Sequence, residues 1–186
     1  HLILRTCEEG RRIEAAMWGF GMEGRLLVNA RGETLNERPR FRKAYARTRC
    51  VVIADGFFEW TRTAEQNQPF FFHRGRQPRP DGLLLLAGLF ERVADEDANL
   101  RFTIVTTDAS PDVSGVHGRM PVILRPEDLP AWLGEGPPRP LAPLLTAPEG
   151  GLLHHHPVSP KVNSPGFDRP SAIEPARPQP TQTTLF

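Results

Sequence analysis

The sequence predicts an α+β domain whose core is a mostly antiparallel, barrel-like β-sheet with a few short helices. Short β-branched or aromatic runs follow one another with Gly, Pro, Asn and Asp between them, and only brief segments show helical spacing of apolar residues. Consecutive strands with short links favour antiparallel pairing. A chain of 186 residues with 39% hydrophobic and 24% charged content can bury one sizeable core.

The individual elements follow from local patterns along the chain. Pro39 suits the first position of a helix, and apolar residues at 41, 44 and 45 recur at helical spacing, so we expect a helix over 39–47. Pro126 opens a second expected helix, over 126–132, and a weaker one is expected at 142–145. The predicted strands are 1–6, 13–18, 26–28, 50–54, 69–73, 83–90, 102–106, 121–124 and 153–158.

Composition limits the class of protein. The longest apolar run, 83–89, is too short to span a bilayer, which takes about 18 residues or more. Cys7 and Cys50 are too few for a disulfide framework and have no metal-ligand spacing, which indicates a reducing cytoplasm, although one bridge between them stays open. We assign no metal site and expect no cofactor. Because the chain starts at His1 without an initiator Met, we expect that residues precede it in the gene product.

Positive charge is concentrated at the start of the chain. Residues 1–50 hold ten Arg and one Lys against six Glu, an excess of +5, although the whole chain has a formal net charge of +1. Guanidinium groups suit bidentate phosphate contacts, so this region is a candidate to face an anion. A GC-rich genome that encodes Arg in place of Lys explains the same bias, and both interpretations stay open.

The C-terminal segment differs in composition from the rest. From Pro170 the chain is rich in Pro, Thr and Gln, which predicts a domain over 1–169 and a disordered tail over 170–186. The final five residues, QTTLF, resemble the bacterial sliding-clamp binding pentapeptide, in which Gln182, Leu185 and Phe186 would bind the partner. A frayed terminus is the alternative.

Three segments place a polar residue inside or beside an apolar strand, where burial without a partner is costly. Asn29 either caps a turn or presents its amide to a ligand, with Arg31 and Glu33 forming a surface ion pair. Glu59 is the only acid among aromatic residues of a strand. It either has a raised pKa suited to proton transfer or pairs with a core arginine.

The third segment, at 116–121, contains a histidine and an arginine close together. His117 is a candidate acid and base near neutral pH, or a structural loop residue, and Arg119 could hold a phosphate. The preceding predicted strand ends at Thr106. The histidines at 154–156 alternate faces in a strand, so they do not converge on one ion.

Five segments in register carry a family resemblance. NARGET at 29–34, ADGFFEW at 54–60, TTDA at 106–109, VHGRMPVIL at 116–124 and HPVSPKVN at 156–163 resemble the SRAP family, over roughly residues 1–175. That family senses abasic sites in single-stranded DNA. The resemblance implies the SRAP fold. From composition and cysteine count we also expect a soluble, cytoplasmic protein, and we expect it to work at the nucleoid as a monomer.

The resemblance also implies a mechanism. An N-terminal Cys forms an imine with the ring-opened abasic sugar and then closes a thiazolidine, which shields the lesion. By motif position, Asn29 would orient the amine and the sugar, Glu59 would shuttle protons and His117 would assist ring opening. The implied DNA-binding residues are Arg31, Arg38, Arg40, Arg42, Thr106 and Arg119.

Two departures from the family pattern leave other hypotheses open. The family's Met-Cys-Gly-Arg start has no counterpart here, and the internal Cys7 has no free α-amine for a thiazolidine. The loop at 21–25 is short and has no aromatic residue to wedge into DNA. The alternatives are a non-covalent single-stranded DNA-binding module that is catalytically inactive, and a protein with lyase or autopeptidase activity.

Overall fold

The computed structural model describes residues 1–62, 67–75, 82–93, 100–164 and 166–176. Within these ranges the fold is mixed α+β, as the sequence predicts. The strands are β1 (Leu2–Cys7), β2 (Gly10–Ala15), β3 (Met17–Trp18), β4 (Phe20–Met22), β5 (Arg25–Leu27), β6 (Asn29–Arg31), β7 (Arg49–Ala54), β8 (Gly56–Arg62), β9 (Asn67–Arg74), β10 (Leu84–Arg92), β11 (Leu100–Asp108), β12 (Arg119–Pro121) and β13 (Leu153–Pro157). The α-helices are α1 (Pro39–Arg47), α2 (Pro111–Ser114) and α3 (Leu129–Trp132).

Most of the strands belong to one large sheet that curls into a half-barrel. Its strand order is β12-β11-β10-β7-β1-β2, and all of these neighbours are antiparallel. β3 and β6 also pair with β11, and both run parallel to it. A second antiparallel sheet has the order β13-β9-β8. The expected antiparallel pairing is therefore confirmed for most strands, whereas the sequence pattern does not predict the two parallel pairings on β11.

The core lies on both faces of the large sheet. Val51 of β7 belongs to one hydrophobic cluster, while its neighbours Cys50 and Val52 belong to the other, as the alternation of side chains along a strand requires. Trp132 of α3 is fully buried in the first cluster, and its indole N–H donates to the Cys50 carbonyl at 2.8 Å. Cys50 and Cys7 are both free thiols, so they do not form a bridge.

The structure corrects several sequence-based boundaries. The expected helix over 126–132 is a 3-10 turn (Pro126–Asp128) followed by the short α3, because Pro130 lacks the N–H that a continuous helix would need and its ring crowds the preceding turn. The expected strand over 13–18 breaks at Ala16, and β3 pairs with β11 instead of β1. The expected strand at 26–28 is β5, which forms a hairpin with β4. Glu23 (φ 42°) and Gly24 (φ 79°) make the turn of that hairpin, which requires positive φ.

Residues 170–176, which the sequence pattern assigns to a disordered tail, contact the domain. Pro170–Ile173 form a 3-10 turn, and the Ile173 carbonyl lies 2.8 Å from Nε2 of His156. The amide of Ala176 donates to the Pro157 carbonyl at 2.8 Å. The remainder of the expected tail, including QTTLF, lies outside the described residues, and the division into domains stays a prediction. No helix in the described ranges is long and apolar enough to cross a membrane.

Candidate functional site

The large sheet brings four of the predicted site residues side by side. β11 lies between the other two strands. On one side β6 pairs with it, Asn29 opposite Ile104 and Arg31 opposite Thr106. On the other side β12 pairs with it, Arg119 opposite Asp108. On β6 only the intervening Ala30 is buried, so the side chains of Asn29 and Arg31 lie on the exposed face. The parallel pairing of β6 with β11 is therefore what positions NARGET beside the TTDA and HGRMP segments.

A groove beside Asn29 is lined by arginines. Its volume is about 470 Å³, and it runs between the β4–β5 hairpin and the start of α1. Four basic residues line it: Arg25, Arg31, Arg38 and Arg40. Arg40 is partly engaged, because it donates to Glu91 at 2.7 Å and lies over the Phe20 ring. Arg42 is exposed on α1 and is not part of the groove lining.

Glu59 and His117 form a carboxylate–imidazole pair that joins the two sheets. Glu59 lies on β8 of the small sheet, and His117 precedes β12 of the large sheet. Oε2 of Glu59 lies 3.5 Å from Nδ1 of His117, and the two side chains are 22% and 33% exposed. The pair is thus accessible to a ligand while it is partly withdrawn from water.

Burial raises the pKa of the Glu59 carboxyl, and the charge of His117 and the backbone N–H of Trp60 oppose that shift. The direction agrees with the expectation of a proton-transferring acid. Among the described residues, the charged partner of Glu59 is His117 and not an arginine. A carboxyl with a raised pKa is a better proton donor near neutral pH than a solvated one.

The His117 ring is held by the backbone of Arg119. Its Nδ1 lies 3.1 Å from the Arg119 amide nitrogen and 3.0 Å from the Arg119 carbonyl oxygen. A neutral Nδ1 accepts from the amide, and a protonated Nδ1 donates to the carbonyl or to Glu59. The ring therefore has a partner in either protonation state, which suits a residue that takes up and releases a proton.

Arg119 is surrounded by oxygen acceptors. Its Nη1 donates to Glu33 and Asp108, both at 2.8 Å, and its Nη2 donates to Glu33 at 2.9 Å and to the Thr106 carbonyl at 2.9 Å. The Thr106 hydroxyl lies 3.3 Å from Nη2, and Thr106 itself is buried. Hydrogen bonding to Arg119 lowers the pKa of Glu33. Thr106 and Arg119, the two residues of this group predicted to bind DNA, therefore contact each other.

Sequence reasoning misses two acids and an arginine at this site. The predicted surface pair of Glu33 with Arg31 is wrong: Glu33 forms its salt bridge with Arg119, far along the chain, because β6 lies next to β11. Asp108 belongs to the TTDA segment, but its contact with Arg119 cannot be read from the sequence, and Arg25 carries no signal apart from its charge. The sequence also does not reveal that the indole N–H of Trp60 donates to Asn163 at 2.6 Å, a contact that ties HPVSPKVN to ADGFFEW.

The site thus consists of two neighbouring parts. The arginine groove contains Asn29, and the acid–base part contains Glu59, His117 and the Arg119 network. The strand pairing of Arg31 with Thr106 connects them.

Comparison with known proteins identifies the family. The family model described as SOS response associated peptidase (SRAP) matches residues 1–165. This chain belongs to the SRAP family.

Relatives with curated names match most of the chain. It is 34% identical over 155 residues to the abasic site processing protein YoqW of Bacillus subtilis, and the match covers 81% of this chain and 68% of that protein. It is 33% identical over 168 residues to the abasic site processing protein HMCES of Gallus gallus, covering 79% of this chain and 49% of that protein. The chain thus spans about half the length of the vertebrate relative.

A solved structure supports the fold. The crystal structure of a protein from Bacteroides thetaiotaomicron superposes with a TM-score of 0.72 at 22% identity, covering 94% of this chain and 80% of that one. This similarity confirms the predicted SRAP fold.

Proposed function

We propose that this protein processes abasic sites in single-stranded DNA by joining an N-terminal cysteine of the gene product covalently to the lesion. The observation that carries the proposal is the pairing of Glu59 with His117 beside a groove lined by arginines. Membership of the SRAP family and the names of its relatives, which are abasic site processing proteins, support abasic sites as the substrate. The complete reaction also needs the α-amine and the thiol of an N-terminal cysteine, which Glu59, His117 and the arginine groove do not provide.

The acid–base pair suits the steps that such a reaction needs. Opening of the abasic sugar moves the proton of the anomeric hydroxyl to the ring oxygen, a transfer that His117 can assist by accepting and returning a proton. The cysteine α-amine then adds to the aldehyde carbon, which gives a carbinolamine. Its hydroxyl leaves as water after it takes a proton from the Glu59 carboxyl, whose raised pKa favours the protonated form.

Closure of the thiazolidine completes the link. The thiolate adds to the imine carbon, and the imine nitrogen takes a proton, so the sugar and the protein share one stable ring. Asn29, which is exposed and lines the groove, can orient the amine and the sugar through its amide.

The groove suits a single strand of DNA. Arg25, Arg31 and Arg38 line it, and planar guanidinium groups bind phosphate through two parallel hydrogen bonds. Met22, the last residue of β4, lines the groove next to the hairpin turn, and its side chain gives little surface for base stacking. Affinity would therefore come mainly from backbone phosphates.

The test uses the protein produced from its natural start codon. It is incubated with a single-stranded oligonucleotide that carries one abasic site and, in parallel, with the undamaged oligonucleotide, and each mixture is run on native and denaturing gels. A band that is retained on the denaturing gel only with the abasic oligonucleotide supports the proposal. Equal retention of both oligonucleotides, or of neither, contradicts it.

A non-covalent single-stranded DNA-binding module is the second candidate, and the arginine groove favours it, because the groove needs no cysteine to bind phosphates. It predicts a shift of both oligonucleotides on the native gel and none on the denaturing gel. Lyase or peptidase activity would instead appear as a cut DNA strand or a trimmed protein.

We further propose that the QTTLF terminus binds a sliding clamp, on the basis of its sequence alone.

A further inference from the structure

Arg119 has its terminal donors occupied without any DNA. A guanidinium group has five N–H donors. The four on Nη1 and Nη2 meet Glu33 twice, Asp108 once and Thr106 once, at 2.8–2.9 Å. The fifth, on Nε, is buried and has no partner among the described residues, so solvent or a ligand does not reach it. A phosphate can bind Arg119 in this structure only by replacing one of the existing acceptors.

The acceptors differ in how firmly they are held. Glu33 binds through both carboxylate oxygens, one to each terminal nitrogen, and its side chain is 47% exposed. The Thr106 carbonyl is part of the β11 backbone and is fixed. Asp108 makes a single hydrogen bond at 2.8 Å, and its side chain is 86% exposed. An exposed single-contact ion pair contributes little net stability, so Asp108 is the acceptor that is exchanged most easily.

We propose that Asp108 stands in the position of a DNA phosphate on Arg119 and leaves it when the strand binds, so that Asp108 sets the affinity of this phosphate subsite. The inference rests on the proposed function, because it takes single-stranded DNA as the ligand. One hydrogen bond from Nη1 breaks at Asp108 and forms at a phosphate oxygen, with no covalent change. Glu33 and Thr106 keep the guanidinium in place during the exchange.

The position of Asp108 favours such an exchange. It is the last residue of β11, where the strand is paired with Arg119 of β12, so its side chain can rotate into water without disturbing the sheet. Water solvates the released carboxylate, because Asp108 is exposed already. The competition lowers the affinity for any phosphate at this subsite.

The experiment measures binding of an undamaged single-stranded oligonucleotide to the full-length gene product at fixed salt. Asp108→Asn removes the negative charge that competes with the phosphate. Glu37→Gln is the matched control, because Glu37 is also exposed and is next to Arg38 of the groove. The acids that contact Arg119 among the described residues are Glu33 and Asp108. We expect Asp108→Asn to tighten binding by about 3- to 10-fold and Glu37→Gln to have a clearly smaller effect.

A second pair of variants tests whether the effect passes through Arg119. In an Arg119→Gln background, Asp108→Asn should change the affinity no more than Glu37→Gln does, because the shared contact is gone. Equal effects of Asp108→Asn and Glu37→Gln in the wild-type background would overturn the inference and leave the proposed function standing. Failure of the wild-type protein to bind the undamaged oligonucleotide would also overturn the inference, whereas the proposed function stands or falls with the crosslink to the abasic oligonucleotide.

Discussion

Glu59 lies on the small sheet and His117 lies in the loop before β12 of the large sheet, yet Oε2 of Glu59 is 3.5 Å from Nδ1 of His117. The contact sets a partly buried acid against a group that can carry positive charge. It therefore forms only when the small sheet is packed correctly on the large one. The chemistry proposed for this protein depends on that packing.

Replacement of Glu59 by Gln should slow crosslinking to an abasic oligonucleotide by about 100-fold or more, since the amide cannot donate the proton that expels water. Binding of the undamaged oligonucleotide should change little. A time course on denaturing gels measures the rate. Glu149→Gln, at an exposed position away from the site, is the control and should react like the wild type. Equal rates for Glu59→Gln and the control would exclude Glu59 as the proton donor.

The pH dependence follows from the raised pKa of Glu59. Since the folded-state pKa lies above the unfolded one, the folded state favours the protonated carboxyl, and this contribution to stability is lost as pH rises through the folded pKa. Glu59→Gln should therefore gain stability relative to the wild type as pH rises. Denaturant unfolding of both proteins over a pH series measures the difference. A difference that stays constant, or that moves the other way, would contradict the assigned shift.

Gly56 tests how the strand that carries Glu59 is packed. A Cβ at this position would clash with the Phe72 carbonyl oxygen and the Phe71 ring, so β8 and β9 would have to move apart. We expect Gly56→Ala to lower the free energy of unfolding by about 1–3 kcal/mol. Gly21→Ala serves as the control, because its Cβ would have no heavy atom within 4 Å. Similar stability losses for the two variants, measured by urea unfolding, would show that the close approach is unimportant.

Charge in the groove should control DNA affinity. Arg31→Ala and Arg38→Ala should each weaken binding of single-stranded DNA and reduce the slope of log K against log salt concentration by about 0.7 for each phosphate that is no longer neutralised. Arg139→Ala is the control, since Arg139 is exposed elsewhere and pairs with Asp128. Fluorescence anisotropy at several salt concentrations gives both quantities. An unchanged slope in the groove variants would mean that the strand binds elsewhere.

The C-terminal pentapeptide makes a separate prediction. Leu185→Ala together with Phe186→Ala should abolish binding of the full chain to a purified bacterial sliding clamp, because these are the apolar anchors of the motif. Thr183→Ala, at a position between Gln182 and Leu185, should leave binding intact. Surface plasmon resonance measures the affinity. Binding by the double variant as strong as that of the wild type would show that the motif does not bind the clamp.

The sequence is most informative where a local pattern determines the structure. Helix α1 follows from Pro39 and the spacing of its apolar residues, and its boundaries match the prediction. Local patterns also indicate Asn29, Glu59 and His117 as polar groups in unusual positions. They cannot indicate that Glu33 pairs with Arg119, because that contact depends on β6 lying parallel to β11, a pairing between distant segments. The same limit hides the position of Asp108 on the Arg119 guanidinium, which depends on the pairing of β11 with β12.

Intact mass spectrometry is the most decisive test of a covalent link between the N-terminal cysteine and the abasic sugar. Protein produced from its natural start codon is incubated with an abasic oligonucleotide, denatured and weighed. We predict one new species whose mass is the sum of the protein and the oligonucleotide minus one water, and no such species when the N-terminal cysteine is replaced by Ser under reducing-agent-free conditions. If only the unmodified masses are found while native binding persists, the covalent mechanism is wrong and the protein is a non-covalent DNA-binding member of its family.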